Sequence, residues 1–180
     1  MQFILFDLEA TCWKDSFSPY PQEIIEIGAC KLSPYGVVIE TFSSLIIPSR
    51  SPVLSQYCKS LTGIQQNEID RAKSFKVVMH DFENWATDSS SQLSYFSWGA
   101  KDYNLLRDDS QYNNIELEWL EDIYDLKQQY GDIKGLKKPI GLDKVLEVEG
   151  IEFEGTKHRA LPDAKNLTKL FFKYLDRWQY

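Results

Sequence analysis

The segment Phe3–Thr11 constrains the fold more than any other part of the chain. Its first half is an unbroken apolar run, and two carboxylates, Asp7 and Glu9, stand in its second half. Such a run is typical of a buried β-strand. Alternate residues of a strand point to the same face, so both carboxylates would converge at the edge of the core. Because two like charges so close repel each other unless a cation lies between them, the pair predicts a divalent metal ion.

Two later segments supply further acidic residues and a histidine. Asp102 follows a second short aromatic run at residues 95–98, and Asp163 stands five residues after His158 at the start of a helical pattern. An Asp-x-Glu triplet alone is more often a solvated strand end than a metal site. The order Asp, Glu, Asp, His, Asp is a combination that chance rarely supplies, and it favours a metal-dependent site.

This order resembles the DEDDh subgroup of 3′–5′ exonucleases, and the resemblance covers nearly the whole chain. Residues 6–12 (FDLEATC), 23–27 (EIIEI) and 54–64 (LSQYCKSLTGI) are similar to the Eri-type branch, and so is the approach to the last motif at 154–158 (EGTKH). That branch contains the small-RNA and histone-mRNA exonucleases and their bacterial relatives. The sister DEDDy subgroup has Tyr four positions before the last Asp, where this chain has Arg159. The resemblance is to a bacterial-type relative with the bare exonuclease domain.

The resemblance implies that phosphodiester bonds are hydrolysed with two Mg²⁺ ions, which Mn²⁺ could replace. The ions would be held by Asp7, Glu9, Asp102 and Asp163. Asp7 would bridge both ions. Glu9 and Asp163 would hold the ion that activates water, and Asp102 would support the other through water. His158 would be the general base, because imidazole, with an ordinary pKa of about 6.5, accepts a proton near neutrality.

The same resemblance implies a closed pocket around the 3′-terminal nucleoside. Its walls would be formed by Leu8, Ala10, Thr11, Leu61, Thr62 and Ile64. Stacking on apolar surfaces is tolerant of base identity. For Leu61 and Ile64, packing in the core explains the sequence equally well. A preference for RNA would need a contact to the 2′-OH, which no residue of the sequence can be shown to make.

The charge of the chain limits the kind of nucleic acid that it can bind. The net charge of −7 disfavours a wide basic surface for long duplexes, so we expect contact with only a few nucleotides near a chain end. A local excess of basic residues could nevertheless steer the strand toward the site. It consists of Lys134, Lys137, Lys138, Lys157 and Arg159. A solvated charged face explains the first three equally well.

Hydrophobic patterning along the chain predicts a mixed α/β sheet. Strands beyond the first are predicted at residues 23–32, 37–47, 93–98 and 117–124. Helices are predicted at 75–86, after Asp102, at 141–148 and at 164–178. The first three strands would form an antiparallel meander, with loops at 14–21 and 48–60. The resemblance implies the ribonuclease-H-like fold, with a five-stranded mixed sheet and helices on both faces.

Length and composition bound the class of protein. The 180 residues predict one exonuclease domain over 1–180. The chain has no long apolar run and no charged region before its first strand, so we expect neither membrane contact nor secretion. Cys12, Cys30 and Cys58 include no Cys-x-x-Cys pair, which predicts neither a disulfide framework nor a zinc site. We therefore expect a cytoplasmic protein, whose oligomeric state the sequence leaves open.

The sequence thus predicts a metal-dependent 3′–5′ exonuclease that releases nucleoside monophosphates from single-stranded or short RNA. One alternative is the same chemistry on the 3′ end of DNA. Another is a catalytically silent domain that only binds nucleic acid or a partner. The complete set of four acids and a histidine argues against the silent domain, because a binding module has no need for convergent carboxylates. No part of the chain is left for the additional nucleic-acid-binding domain that members of this branch often carry.

Overall fold

Six strands form a mixed sheet in this computed structural model, which describes residues 1–14, 20–87 and 92–180. They are β1 (Gln2–Ala10), β2 (Ile24–Leu32), β3 (Val38–Ile47), β4 (Lys73–Ser74), β5 (Leu93–Ser97) and β6 (Ile123–Asp125). The first three strands pair antiparallel as predicted, whereas β5 pairs parallel to β1 and β6 parallel to β5. The sheet order is β4-β3-β2-β1-β5-β6, with β1 in the interior of the sheet.

The described residues also form seven α-helices. They are α1 (Gln56–Thr62), α2 (Gln66–Ile69), α3 (Phe75–Ala86), α4 (Ala100–Asn113), α5 (Leu126–Lys134), α6 (Leu142–Val148) and α7 (Ala160–Lys173). One face of the sheet packs against α3 and α4, and the other packs against α5, α6 and α7. None of these helices is both long and apolar enough to cross a membrane.

The side chains of β1 alternate between these two faces. Ile4, Phe6 and Leu8 are buried against the α3 and α4 face. Phe3 and Leu5 are buried against the α7 face. Because side chains alternate along a strand, Asp7 and Glu9 continue the row that faces α7. The apolar part of the strand therefore fixes the direction in which both carboxylates point.

Gly28 allows α7 to begin directly on the sheet. It pairs with Asp7 across the β1–β2 ladder. A Cβ atom at this position would lie 2.1 Å from the backbone nitrogen of Leu161, in the first turn of α7. A side chain would push the helix away, so this glycine brings the first turn of α7 beside Asp7.

The predicted ribonuclease-H-like class, a mixed sheet with helices on both faces, is confirmed. Two strands differ from the prediction. The strand predicted at 117–124 is confined to Ile123–Asp125, because Glu118–Asp122 forms a 3₁₀ turn that places Trp119 in the core. The sheet has six strands instead of the predicted five. The additional strand is β4 (Lys73–Ser74), which pairs with β3 at the sheet edge and is too short to show a pattern in the sequence.

The helices differ from the prediction at their ends. Helix α1 begins inside the loop predicted at 48–60 and continues to Thr62. The Ser55 side chain accepts a hydrogen bond from the Cys58 amide at 2.9 Å and caps the helix. Helix α7 spans Ala160–Lys173 rather than 164–178. Trp178 still packs on it and donates from Nε1 to the Phe171 carbonyl at 2.8 Å. The loop predicted at 14–21 lies largely outside the described residues.

Candidate active site

Three carboxylates converge beyond the end of β1. Oxygen atoms of Asp7, Glu9 and Asp163 lie within 4.8 Å of one another. Two of these residues come from β1, and Asp163 stands in the first turn of α7. Oxygen ligands in this arrangement suit a hard divalent cation such as Mg²⁺ or Mn²⁺. The structure therefore brings together three of the four predicted metal ligands as a group.

Asp163 is held by the start of its own helix. The backbone N–H groups of His158 and Arg159 act to lower the pKa of its carboxyl group, and its own backbone N–H donates to the Arg159 carbonyl at 3.0 Å. His158 has φ of 59°, in the left-handed region that residues other than glycine seldom adopt. This turn of the backbone directs both amides toward Asp163.

The fourth acid, Asp102, approaches from the neighbouring strand. It stands in the first turn of α4, just after β5, and is 6% exposed. It lies outside the group of three carboxylates, yet it borders the same cavity. This position fits the predicted role of supporting a metal ion through water.

One cavity of about 330 Å³ joins all five predicted catalytic residues. It is lined by Asp7, Leu8, Glu9, Trp98, Lys101, Asp102, Gly141, Leu142, Asp143, Lys157, His158 and Asp163. His158 is exposed at the rim, and the carboxylates form the floor. A histidine and four acids around one small cavity suit the hydrolysis of a phosphodiester bond.

Burial is the main cause that raises the pKa of the four predicted metal ligands in this cavity. Burial, followed by the charges of Asp102 and Asp163, raises the pKa of Asp7 well above its ordinary value. Burial raises the pKa of Glu9 to about 8 and that of Asp102 to about 7. Burial and the charge of Asp143 raise the pKa of Asp163 to about 6. Without a cation this cluster holds protons near neutral pH, and a divalent cation would remove the repulsion.

Of the six residues predicted to form the nucleoside pocket, Leu8 lines this cavity. The other five described residues do not: they are Ala10, Thr11, Leu61, Thr62 and Ile64. Ile64 is fully buried in a core cluster with Ile25, and Thr62 donates its hydroxyl to the Cys58 carbonyl at 2.9 Å. Core packing accounts for both side chains, and their contact with substrate stays a prediction.

Three of the five basic residues that the sequence singles out form ion pairs. Lys134 pairs with Glu149 at 2.9 Å and Lys157 with Asp143 at 3.1 Å. Arg159 pairs with the buried carboxylate of Glu26 on β2. Sequence reasoning missed Lys101, which lines the cavity. Its charge acts to lower the pKa of Glu9, against the larger effect of burial. The only signal was its place immediately before Asp102.

The family model described as "Exonuclease" (RNase_T) matches residues 4–171, a range that includes all five predicted catalytic residues. The chain belongs to the exonuclease family. This confirms the prediction of an enzyme that hydrolyses nucleic acid from the 3′ end. Exonucleases of this family need divalent metal ions, and the oxygen donors of the cavity fit them.

Two curated exonucleases and one solved structure illustrate the similarity. The probable 3′–5′ exonuclease KapD of Bacillus subtilis is 32% identical over 93% of this chain and 82% of its own length. ERI1 exoribonuclease 2 of Danio rerio is 36% identical over 93% of this chain, which spans 34% of that protein. The nuclease domain of 3′hExo, a DEDDh family member solved with rAMP bound, has a TM-score of 0.90 at 26% identity and covers 97% of this chain and 92% of its own. The predicted DEDDh type and Eri-type branch are thereby confirmed.

Proposed function

We propose that this exonuclease releases nucleoside monophosphates from the 3′ end of single-stranded or short RNA. It would use two Mg²⁺ ions, with Mn²⁺ as a substitute, and His158 as the general base. The observation that carries the proposal is the single cavity that joins four carboxylates and His158. As a single domain over residues 1–180, it would act in the cytoplasm.

The carboxylates divide the proposed work according to their positions. Asp7 lies near enough to Asp102, Asp163 and Glu9 for their charges to raise its pKa, and it would contact both ions. Glu9 and Asp163 would hold the ion nearer α7, and Asp102 would support the ion nearer α4. When bound, the two ions would supply an activated water and stabilise the departing 3′ oxygen. The raised pKa values of these acids support the binding of cations, because a site that repels its own charges favours cations.

His158 would accept the proton of the attacking water. It borders the cavity from the exposed side, where solvent can remove the proton afterwards. Its backbone amide acts to lower the pKa of Asp163, and both residues line the same cavity, so the base would lie close to a metal ligand. A base positioned in this way contributes a factor of roughly 10²–10⁴ to a rate.

The names of relatives support RNA over DNA as the substrate, and the size of the cavity supports a single terminal nucleotide. Relatives that align with more than nine-tenths of this chain are named exoribonucleases, and the similar nuclease domain of 3′hExo was solved with rAMP. The cavity of about 330 Å³ is near the lower end of ligand sites, which suits one terminal nucleotide rather than a duplex.

The first experiment is a time course on matched 5′-labelled RNA and DNA single strands with Mg²⁺, Mn²⁺ or EDTA. We expect a ladder that shortens from the 3′ end, is lost in EDTA and forms faster on RNA. Equal or faster trimming of DNA would assign the enzyme to DNA instead. Absence of cleavage by folded protein with metal present would contradict the proposal and indicate a binding domain.

A further inference from the structure

Glu26 is a buried carboxylate for which the proposed reaction has no use. It lies on β2 directly opposite Glu9 on β1 and is 2% exposed. Like charges on directly opposite residues destabilise a sheet, and a buried carboxylate needs polar partners. The groups that bind Glu26 therefore indicate why this buried position carries an acid.

Those partners are the two residues that follow His158. The Arg159 guanidinium donates from Nη2 to Oε1 at 2.8 Å and from Nε to Oε2 at 3.1 Å, a bidentate geometry. The backbone N–H of Ala160 donates to Oε2 at 3.0 Å. Glu26 thus binds the side chain and the backbone at the N-terminus of α7.

The segment is held from a second direction by Asp163. The Asp163 amide donates to the Arg159 carbonyl at 3.0 Å, and His158 has the left-handed φ of 59°. A residue other than glycine stays in that region when its surroundings determine its backbone. Glu26 holds this segment from the sheet, and Asp163 holds it from the helix. His158 belongs to the segment that both residues hold.

We propose that Glu26 is a positioning residue, which orients the general base His158 through Arg159 and the Ala160 amide. The β1–β2 register places Glu26 opposite the metal ligand Glu9, so one pair of strands sets the distance between ligand and base. The inference rests on the proposed role of His158.

A matched ion pair at the start of β2, between Asp109 on α4 and Arg50, provides the control. Asp109 is 3% exposed, pairs with Arg50 and accepts the Ile24 amide at 2.7 Å. Like the Glu26 carboxylate, the buried Asp109 carboxylate binds one arginine and one backbone amide. It does not line the cavity of the five catalytic residues. A purely structural role would make the two carboxylates equivalent.

The test compares Glu26→Gln with Asp109→Asn, each alone and combined with His158→Ala. We expect Glu26→Gln to lower kcat about tenfold, to change KM less than about twofold and to alter the pH profile of kcat. Asp109→Asn should lower the midpoint of thermal unfolding to a similar degree and leave kcat and its pH profile unchanged. In the His158→Ala background, Glu26→Gln should change kcat less than about twofold.

An additive loss in the double variant, or an equal kcat loss in Asp109→Asn, would overturn the positioning role. A measurement without catalysis separates this inference from the proposed function. The chain has two histidines, His80 and His158, so two imidazole signals are expected by NMR. Glu26→Gln should shift or broaden the His158 signal and leave that of His80 unchanged. An unchanged His158 signal would contradict the inference even if the enzyme hydrolyses RNA.

Discussion

Gly28 and Leu161 approach each other so closely that no side chain fits between them. A Cβ atom on Gly28 would lie 2.1 Å from the Leu161 backbone nitrogen. The contact joins β2 to the first turn of α7, which carries Asp163. The position of Asp163, a proposed metal ligand, thus depends on a residue that has no side chain.

We expect Gly28→Ala to destabilise the protein by about 2 kcal/mol and to lower kcat, because the first turn of α7 must move. Gly131→Ala is the matched control, since a Cβ there meets nothing within 4 Å and helical alanine is favoured over glycine by roughly 0.5–1 kcal/mol. Denaturant unfolding and initial rates measure both effects. Full activity in Gly28→Ala would show that Asp163 is placed by other contacts.

Replacing Asp7 should separate activity from stability. Asp7→Asn should lower kcat at least a thousandfold by rough estimate, since metal ions supply several kcal/mol of transition-state stabilisation. In EDTA the same variant should be more stable by roughly 1 kcal/mol, because Asn avoids the cost of burying a carboxyl group whose pKa the fold raises. The exposed Asp81 on α3 provides the control, Asp81→Asn, with no loss of activity. Retained hydrolysis in Asp7→Asn would refute the metal site.

The stability of the metal-free protein should fall as the pH rises from about 4 to about 8. The folded pKa values of Glu9 (about 8), Asp102 (about 7) and Asp163 (about 6) lie above the ordinary values, and burial is the main cause in each. The native state therefore binds more protons than the unfolded chain in this range. Glu149 has the opposite sign: burial acts to raise its pKa, but hydrogen bonds from Lys173 and Tyr130 hold it at about 2. Its contribution to stability is therefore complete above its ordinary pKa and is lost only as the pH falls below that value.

Divalent metal should reverse that loss. Because cations displace the protons of their ligands, Mg²⁺ should raise the unfolding midpoint more at pH 8 than at pH 5. Thermal scans in EDTA and in Mg²⁺ across this range measure the difference. Asp7→Asn should abolish the gain. An equal gain at both pH values would show that the cation binds elsewhere.

Lys101 should contribute to strand binding more than the basic residues first suspected. It is exposed in the cavity and has no carboxylate within 4.0 Å in the described part of the chain, whereas Arg159 is bound to Glu26. Lys101→Ala should raise KM and reduce the salt slope of binding by about 0.7, the value for one phosphate contact on a single strand. Lys76→Ala, exposed on α3, should change neither. Measurements of KM and of binding across a salt series, made on both variants, decide whether Lys101 contacts a phosphate of the strand.

Much of the site could be predicted because its signals are local. The alternation in β1 gives the common face of Asp7 and Glu9, and the approach at 154–158 marks His158. The nucleoside pocket was harder to predict, since Thr62 and Ile64 occur in a motif that also builds a core. The two-residue strand β4 and the helix α1 were missed because their lengths leave too few residues for a period to show.

The sequence alone determined which residue types follow each strand and which of them share a face, because side-chain direction follows from backbone periodicity. Only the tertiary structure decided how far apart these residues lie and what burial does to their charges. The close contact at Gly28, the pairing of Glu26 with Arg159 and the raised pKa of Glu9 all depend on segments distant in sequence. Such contacts arise from packing in three dimensions, and no local pattern records them.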